Sequence, residues 1–376
     1  MKVCILSMQR VPNMGSLLQS YALKRILESL GNDVSFIDIQ RIDEDYAALE
    51  GRYIRVENNK GKFDRAIQKI RKIDRYTIQR IINKKKAKEQ RMLFKQFSEN
   101  TLCLDVSENE EHFDLCVIGS DEVFNCCSYS PWGLTSQLFG NVRQADHVIS
   151  YAASCGFTTV EMLSDKAKSC ISNALSKLEG VSVRDANTYS FVRNLGVSDA
   201  TTNLDPVLIY DFDSELSSTS LPDDFPDNAC IVYAYYDRIQ NPAEIRSIRA
   251  FCKKNNLVLV AVGAPQMWIS RYYPLSPFQV LKAISSAEFV VTDTFHGTIF
   301  SAKYAKNFAV ILRENNSNKL SDLLRRLGIK EHLVENGRTL EEISLTEVNR
   351  EIINQIISIE REHTTEYLTY HLSACQ

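Results

Sequence analysis

Short apolar runs, each followed by a polar turn and then by apolar residues at helical spacing, recur along this chain. The clearest is Phe289-Val290-Val291-Thr292, whose β-branched and aromatic residues predict a buried parallel strand. The turn Asp293-Thr294-Phe295-His296-Gly297-Thr298 then opens into a helical pattern. That order puts His296 at the carboxyl end of a strand. Ligands bind there in open α/β sheets, because the following helix points its N–H groups and positive dipole end into the crevice. Gly297 lets backbone approach closely, and Thr298 offers a hydroxyl and an N–H where an anion would lie. The same residues also fit a histidine that only closes the turn on backbone.

The rest of the pattern repeats this design. A strand over 2–6 leads through Val11-Pro12-Asn13-Met14-Gly15-Ser16 into a helix with apolar residues at Leu17, Leu18, Tyr21, Ala22, Ile26, Leu27 and Leu30, stopped by Gly31. A strand over 34–37 completes a βαβ unit. Gly15 stands alone, so the unit lacks the dinucleotide fingerprint; Asn13 and its neighbours either hold a substrate or make a tight turn. Strands follow over 114–118, 148–152 and 180–183, a helix over 165–178 between the last two. The first ends in Gly119-Ser120-Asp121, placing a carboxylate that acts as a base, binds sugar hydroxyls or caps a helix; the third ends in Arg184, a cation for an anionic ligand or a surface ion pair. Asn203-Leu204-Asp205-Pro206 reads as an extended stop at a domain boundary. Beyond a proline- and aspartate-rich lead-in over 221–228, strands over 230–235 and 257–262 flank a helix over 242–254. Ser276-Pro277-Phe278-Gln279 carries a helix-start signature. After the His296 strand come a strand over 309–312, a helix over 320–327 and a long terminal helix over 345–370. Two Rossmann-like halves result: an N-terminal domain over 1–210, a C-terminal domain over 225–340, and a tail, 345–376, packing back across both. The fold class is α/β, two facing domains with the site in the cleft, as in GT-B transferases.

Composition narrows this picture. The 376 residues are 44% apolar and 24% charged, globular and enough for two domains. A formal net charge of −3 gives no general drive toward nucleic acid. The exception is local: from Lys60 to Lys95 lysine and arginine far outnumber acids, while Phe63, Ile67, Ile70, Ile78, Ile81 and Ile82 fall at helical spacings. A basic helical excursion over about 60–97 is expected, either packed as a solvated face or lying against anionic lipid. No run reaches the roughly 18 apolar residues of a membrane span, so a cytoplasmic protein is expected, with peripheral contact at the inner membrane face as the extension. Ten cysteines without zinc spacing are read as reduced, several within strands, as Cys4, Cys116 and Cys230 are; the loop pair Cys126-Cys127 is either a redox site or incidental.

Several motifs in order resemble the polysaccharide pyruvyl transferase family over roughly residues 5 to 320. They are Asn13-Met14-Gly15-Ser16 with Leu18-Gln19-Ser20-Tyr21-Ala22-Leu23, Ile118-Gly119-Ser120-Asp121-Glu122-Val123-Phe124-Asn125, Ser150-Tyr151-Ala152-Ala153-Ser154, Val181-Ser182-Val183-Arg184-Asp185, Leu204-Asp205-Pro206-Val207 and Thr292-Asp293-Thr294-Phe295-His296-Gly297-Thr298. The resemblance implies transfer of a pyruvyl unit from phosphoenolpyruvate to sugar hydroxyls of a polysaccharide precursor, as a ketal, with release of phosphate. It implies His296 as general acid, with Asp121 also catalytic. Arg184, Thr294, Gly297, Thr298 and Lys319 would bind the donor, with Lys303, Lys306 or Arg313 as substitutes for Lys319, and Asn13, Gly15 and Gln19 would bind the acceptor. Phosphoenolpyruvate is a co-substrate; neither a cofactor nor a metal is expected. The acceptor itself is not specified by the sequence; a lipid-linked oligosaccharide at the inner membrane face would explain the basic segment from Lys60 to Lys95. One departure stands out: some members read Arg-Leu-His where this chain reads Thr294-Phe295-His296, so a donor-binding arginine is absent there. The alternatives are a glycosyltransferase using a nucleotide sugar and a non-catalytic carbohydrate-binding relative.

Overall fold

A computed structural model of the chain describes residues 1–40, 77–104, 111–128, 132–313, 316–335 and 338–375. The basic residues of the 60–76 stretch lie outside them.

Two parallel sheets form the frame. The first is built from β1 (Lys2–Leu6), β2 (Asp33–Phe36), β3 (Phe113–Asp121), β4 (Ala145–Ala153), β5 (Val181–Val183) and β6 (Ala200–Thr202), in the order β2-β1-β3-β4-β5-β6. The second is built from β7 (Ala229–Tyr233), β8 (Val258–Val262), β9 (Tyr272–Tyr273), β10 (Phe289–Thr292) and β11 (Phe308–Val310), in the order β11-β10-β7-β8-β9. The apolar runs form central strands because helices cover both faces: every residue of β7 and β10 is buried. In register, Ile5 pairs with Val117 and Thr292 with Tyr233, so neighbouring strands end level and their loops share one edge.

The helices start and stop where their residues dictate. Helix α1 (Met14–Ser29) is capped by Asn13, whose side chain accepts from the Gly15 N–H at 2.9 Å, and ends before Gly31 at a φ of +84°. Between β7 and β8 lies a helix spanning Pro242–Lys254, and Ser276 with Gln279 forms a capping box for another, Pro277–Ser286. Helix α9, the name used here for Phe295–Tyr304, carries His296 in its first turn. The helix Ser317–Arg326 follows β11, and the terminal helix spans Arg350–Ala374.

Two segments join the sheets. Buried apolar side chains run without a break from Ile5, Leu17 and Leu18 through Leu204, Val207 and Phe212 to Phe300 and Phe308. Pro206 does not end an extended stretch at a boundary: it opens a short buried helix, Pro206–Ile209, with Asp205 as N-cap. Lys303 of α9 donates to the carbonyls of Val207 and Leu208 at 3.2 Å, closing that helix's carboxyl end against the second sheet. The terminal helix begins with Arg350 donating to the Ala302 and Ala305 carbonyls and finishes on the first sheet, where Tyr367 donates to the Ser150 carbonyl at 2.8 Å.

The helix Thr77–Asn100 packs on the second sheet's outer edge: Lys86 donates to the Tyr272 carbonyl at 2.6 Å and Gln90 to that of Leu275 at 2.7 Å. Its inward face is Asn83, Gln90, Phe94 and Phe97, while Ile82, expected on the apolar face, is 43% exposed. The polar residues win those inward places because Asn83 donates to the Met267 sulfur and Gln90 meets both the carbonyl and the N–H of Leu275.

Candidate active site

Strand ends from both sheets bring one connected set of charges together. Arg184, at the end of β5, donates from Nη1 to Asp205 Oδ2 at 2.6 Å, and its Nη2 lies 3.8 Å from Asp121 Oδ1. Across the domain junction His296 Nε2 sits 3.4 Å from the same Asp205 oxygen, an ion-pair contact not aligned as a hydrogen bond. Asp121, at a φ of +74°, accepts from Ser16 Oγ at 2.7 Å. Burial pushes the Asp205 carboxyl up, but His296 and Arg184 outweigh it and hold it down at about 2. Burial likewise opposes the charge on Arg184, and Asp205, Asp121 and Asp185 together hold it higher than an ordinary arginine.

The imidazole is clamped. It is 6% exposed, between the Phe295 and Phe300 rings at centroid distances of 5.5 and 6.1 Å. Gly15 of the other domain abuts its far edge: a Cβ there would lie 2.1 Å from Nδ1. Gly15 is therefore required as glycine by close approach rather than by a turn.

A second pair flanks the first. Lys319 donates to Glu122, and its Nζ lies 5.8 Å from the centre of the Phe295 ring, which also meets the Arg184 guanidinium at 4.2 Å. Glu122 is pushed up by burial but pulled down to about 2 by Lys319 and by the Asn125 amide at 2.6 Å. Arg184, Lys319 and Arg326 line one small pocket with Asp185, Asp205 and Phe295. Nε and Nη2 of Arg184 are buried there without hydrogen-bond partners, two donors suited to an anion. On the other side a second pocket is lined by Asn13, Met14, Phe94, Tyr233, Tyr235 and Thr294, together with Gly263 and Ala264 at the end of β8. His296 lines neither pocket itself: Thr294, two residues before it, lines the second, while Phe295 beside it and Asp205, its ion-pair partner, line the first. Among the described residues no group of three or more His, Cys, Asp or Glu could hold a metal ion.

The structure thus brings His296, Arg184, Asp121, Lys319, Asn13, Gly15 and Thr294 to one cleft. It corrects four of the expected contacts. Thr298 is fully buried; its N–H and hydroxyl both donate to the Thr294 carbonyl, at 3.0 and 2.9 Å, so neither is left for an anion. The Gly297 N–H is taken by Thr294 Oγ1 at 2.9 Å, which makes Thr294 the helix cap and commits its hydroxyl. Gln19 is fully buried behind the site, its amide donating to Ser7, Ser16 and Ser20, and does not reach the acceptor side. The proposed substitutes for Lys319 are engaged elsewhere: Lys303 on the linker carbonyls, Lys306 with Glu288 at 2.5 Å, Arg313 forked onto Glu244 at 2.9 Å with a bond to Asp293 at 3.0 Å. Sequence reasoning passed over Asp205 and Glu122, although each stood inside a quoted motif beside a residue it singled out. The cysteines are all free, and Cys4, Cys116 and Cys230 are buried.

Two facing Rossmann-like sheets with a charged, histidine-bearing cleft define a GT-B-like enzyme architecture. The chain belongs to the polysaccharide pyruvyl transferase family, whose model matches residues 13–315, and is therefore of a transferase family acting in polysaccharide synthesis. A search of curated proteins found none that matches. Among solved structures, a UDP-GlcNAc 2-epimerase from Methanocaldococcus jannaschii, in complex with UDP-GlcNAc and UDP, is 11% identical over 98% of this chain and 100% of its own, with a TM-score of 0.47. The glycosyltransferase SnogD from Streptomyces nogalater is 11% identical over 100% and 99%, with a TM-score of 0.40.

Proposed function

We propose that this protein transfers the pyruvyl unit of phosphoenolpyruvate to two hydroxyls of a sugar, forming a ketal and releasing phosphate. The observation that carries the reading is the buried Arg184–Asp205–His296 chain, whose arginine keeps two unpartnered donors beside a pocket that Lys319 and Arg326 also line with Asp185, Asp205 and Asp322. The donor's carboxylate and phosphate lie toward Arg184 and Lys319, whose charges suit two anionic groups. The sugar lies toward Asn13 and Tyr235.

The imidazolium gives its proton to the methylene carbon, which becomes a methyl group and leaves C2 electrophilic. The first sugar hydroxyl bonds to C2 and passes its proton to the Asp121 carboxylate. The second hydroxyl then displaces phosphate, and its proton leaves with the departing group. Asp205 holds the imidazolium by charge, as the orienting carboxylate of a catalytic triad does. Lys319 supplies the cation that position 294 lacks.

The test is to supply phosphoenolpyruvate with a panel of methyl glycosides bearing paired free hydroxyls and to follow phosphate release and product mass. Pyruvyl ketal formation that falls roughly 10²- to 10⁴-fold in His296→Ala is expected. Transfer from a nucleotide sugar, with phosphoenolpyruvate untouched, would replace this reading.

A further inference from the structure

We propose that the outward face of the helix Thr77–Asn100 is a docking surface for an anionic lipid bilayer, holding the mouth of the cleft at the membrane. The helix has two faces with different fates. Asn83, Gln90, Phe94 and Phe97 are buried against the protein and fall on one side of a helix turning about 100° per residue. Opposite them, all exposed, stand Lys84, Lys85, Lys88, Arg91 and Lys95, with the 52%-exposed Met92 in their midst. Among the described residues one of these cations has a carboxylate partner: Lys95, 3.4 Å from Glu99, in a pair so exposed that it contributes little. Glu89 is the other acid exposed on this stretch.

Five cations on about three turns is a concentration of charge that the chain as a whole, at −3, does not share. Charge complementarity selects a polyanionic partner. The choice of lipid over nucleic acid rests on the apolar side chains beside the charges. Met92 and Ile82, the latter 43% exposed at the edge of this face, can enter the acyl boundary while lysine stems reach the headgroups. The helix's aromatic residues, Phe94 and Phe97, are turned inward, so no stacking platform for bases exists on it. Among the described residues no helix is long and apolar enough to cross a membrane, so attachment by this helix is peripheral.

The placement connects to the cleft through Phe94, which lies on the inward face of the same helix and lines the pocket with Asn13, Tyr235 and Thr294. A bilayer on the outward face would thus lie one helix diameter, about 10 Å, from the pocket's wall. A membrane-borne sugar would then reach the pocket from the side. The docking itself does not depend on the transferase reading, and its failure would leave that reading intact.

The experiment is vesicle flotation of the full chain, with phosphatidylcholine alone and with about one third phosphatidylglycerol, at low salt and at about 0.5 M salt. The parent is expected to float with the anionic vesicles only, and to be released by salt as the Debye length shrinks to a few Å. A Lys84→Gln/Lys88→Gln/Arg91→Gln variant should bind roughly a hundredfold more weakly, at about fivefold per basic side chain, with an unchanged unfolding midpoint. A Lys253→Gln/Lys254→Gln control should bind like the parent. Absence of flotation with anionic vesicles at low salt overturns the proposal, as does undiminished binding by the triple variant or an equal loss in the control. So does preferential binding of an RNA homopolymer over vesicles.

Discussion

The replacement of Gly15 by alanine tests the clamp on His296 without requiring the acceptor to be known. Gly15 lies in the first turn of α1, and an added Cβ would fall 2.1 Å from Nδ1, 2.4 Å from Cγ and 2.8 Å from Cε1 of the imidazole. Ordinary carbon contacts begin near 3.5 Å, so something must move by more than about 1 Å. The ring cannot simply swing away, because Asp205 lies 3.4 Å from Nε2 and the Phe295 and Phe300 rings flank it. Overpacking of this kind costs roughly 1–3 kcal/mol. Opposing it, alanine is better than glycine in a helix by about 1 kcal/mol. The net effect in the parent is therefore destabilising. In a His296→Ala background the obstacle is gone, the helical preference remains, and the same substitution should become neutral or stabilising by up to about 1 kcal/mol. Urea unfolding of the four proteins of this cycle measures the reversal. Equal destabilisation in both backgrounds would refute the clamp. In turnover, displacement of the ring by about 1 Å should cost Gly15→Ala roughly a hundredfold.

Other consequences follow from the same contacts. Asp205→Asn keeps the shape but removes the nearest of the buried carboxylates that offset Arg184, leaving Asp121 at 3.8 Å, and should cost up to about 3–5 kcal/mol in urea unfolding. The Asp205 carboxyl is depressed from 3.8 to about 2, so it contributes roughly 2 kcal/mol above pH 4 that is lost as pH falls toward 2; the asparagine variant should lack that limb of the acid-unfolding curve. Gly297→Ala would place a Cβ 2.1 Å from Thr292 Oγ1 and 2.6 Å from Thr294 Oγ1, so the cap of α9 should open, with a drop of several degrees in midpoint and loss of turnover. Lys319→Met should leave kcat changed less than the KM for phosphoenolpyruvate, which rises at least tenfold if the ammonium binds the donor; an unchanged KM would remove Lys319 from the donor site.

Much of the frame was legible because it is written in period and punctuation. Buried runs such as Phe289-Val290-Val291 have few structural alternatives, and Ser276 with Gln279 marks a helix start through bonds both residues then make. His296 and Arg184 could each be placed over the carboxyl edge of its own sheet because parallel strands end level. What could not be read was the direction of polar side chains. Gln19 and Thr298 look like ligands in a loop-to-helix context, yet both are fully buried, their hydrogen bonds spent on neighbouring residues. Asp205 was obscured by the proline after it, which signals a break whether or not a helix follows, as it does here. The phase of the helix Thr77–Asn100 was misjudged for a related reason: isoleucines suggested the inward face, but Asn83 and Gln90 occupy it, a fact set by acceptors from residues nearly 200 positions away.

The most direct test of the central claim is thermal unfolding with phosphoenolpyruvate, in the parent and in Lys319→Met. Arg184→Ala is less suitable, since it would remove the hydrogen-bonded partner of the fully buried Asp205, whereas Glu122, the partner of Lys319, is partly exposed. At about 100 times the parent's dissociation constant the ligand should add roughly 2.7 kcal/mol to the parent's stability, raising its midpoint, and at the same concentration a variant that binds at least tenfold more weakly should gain no more than about 1.4 kcal/mol. A parent whose midpoint is unmoved by phosphoenolpyruvate but raised by a uridine- or guanosine-diphosphate sugar would contradict the account.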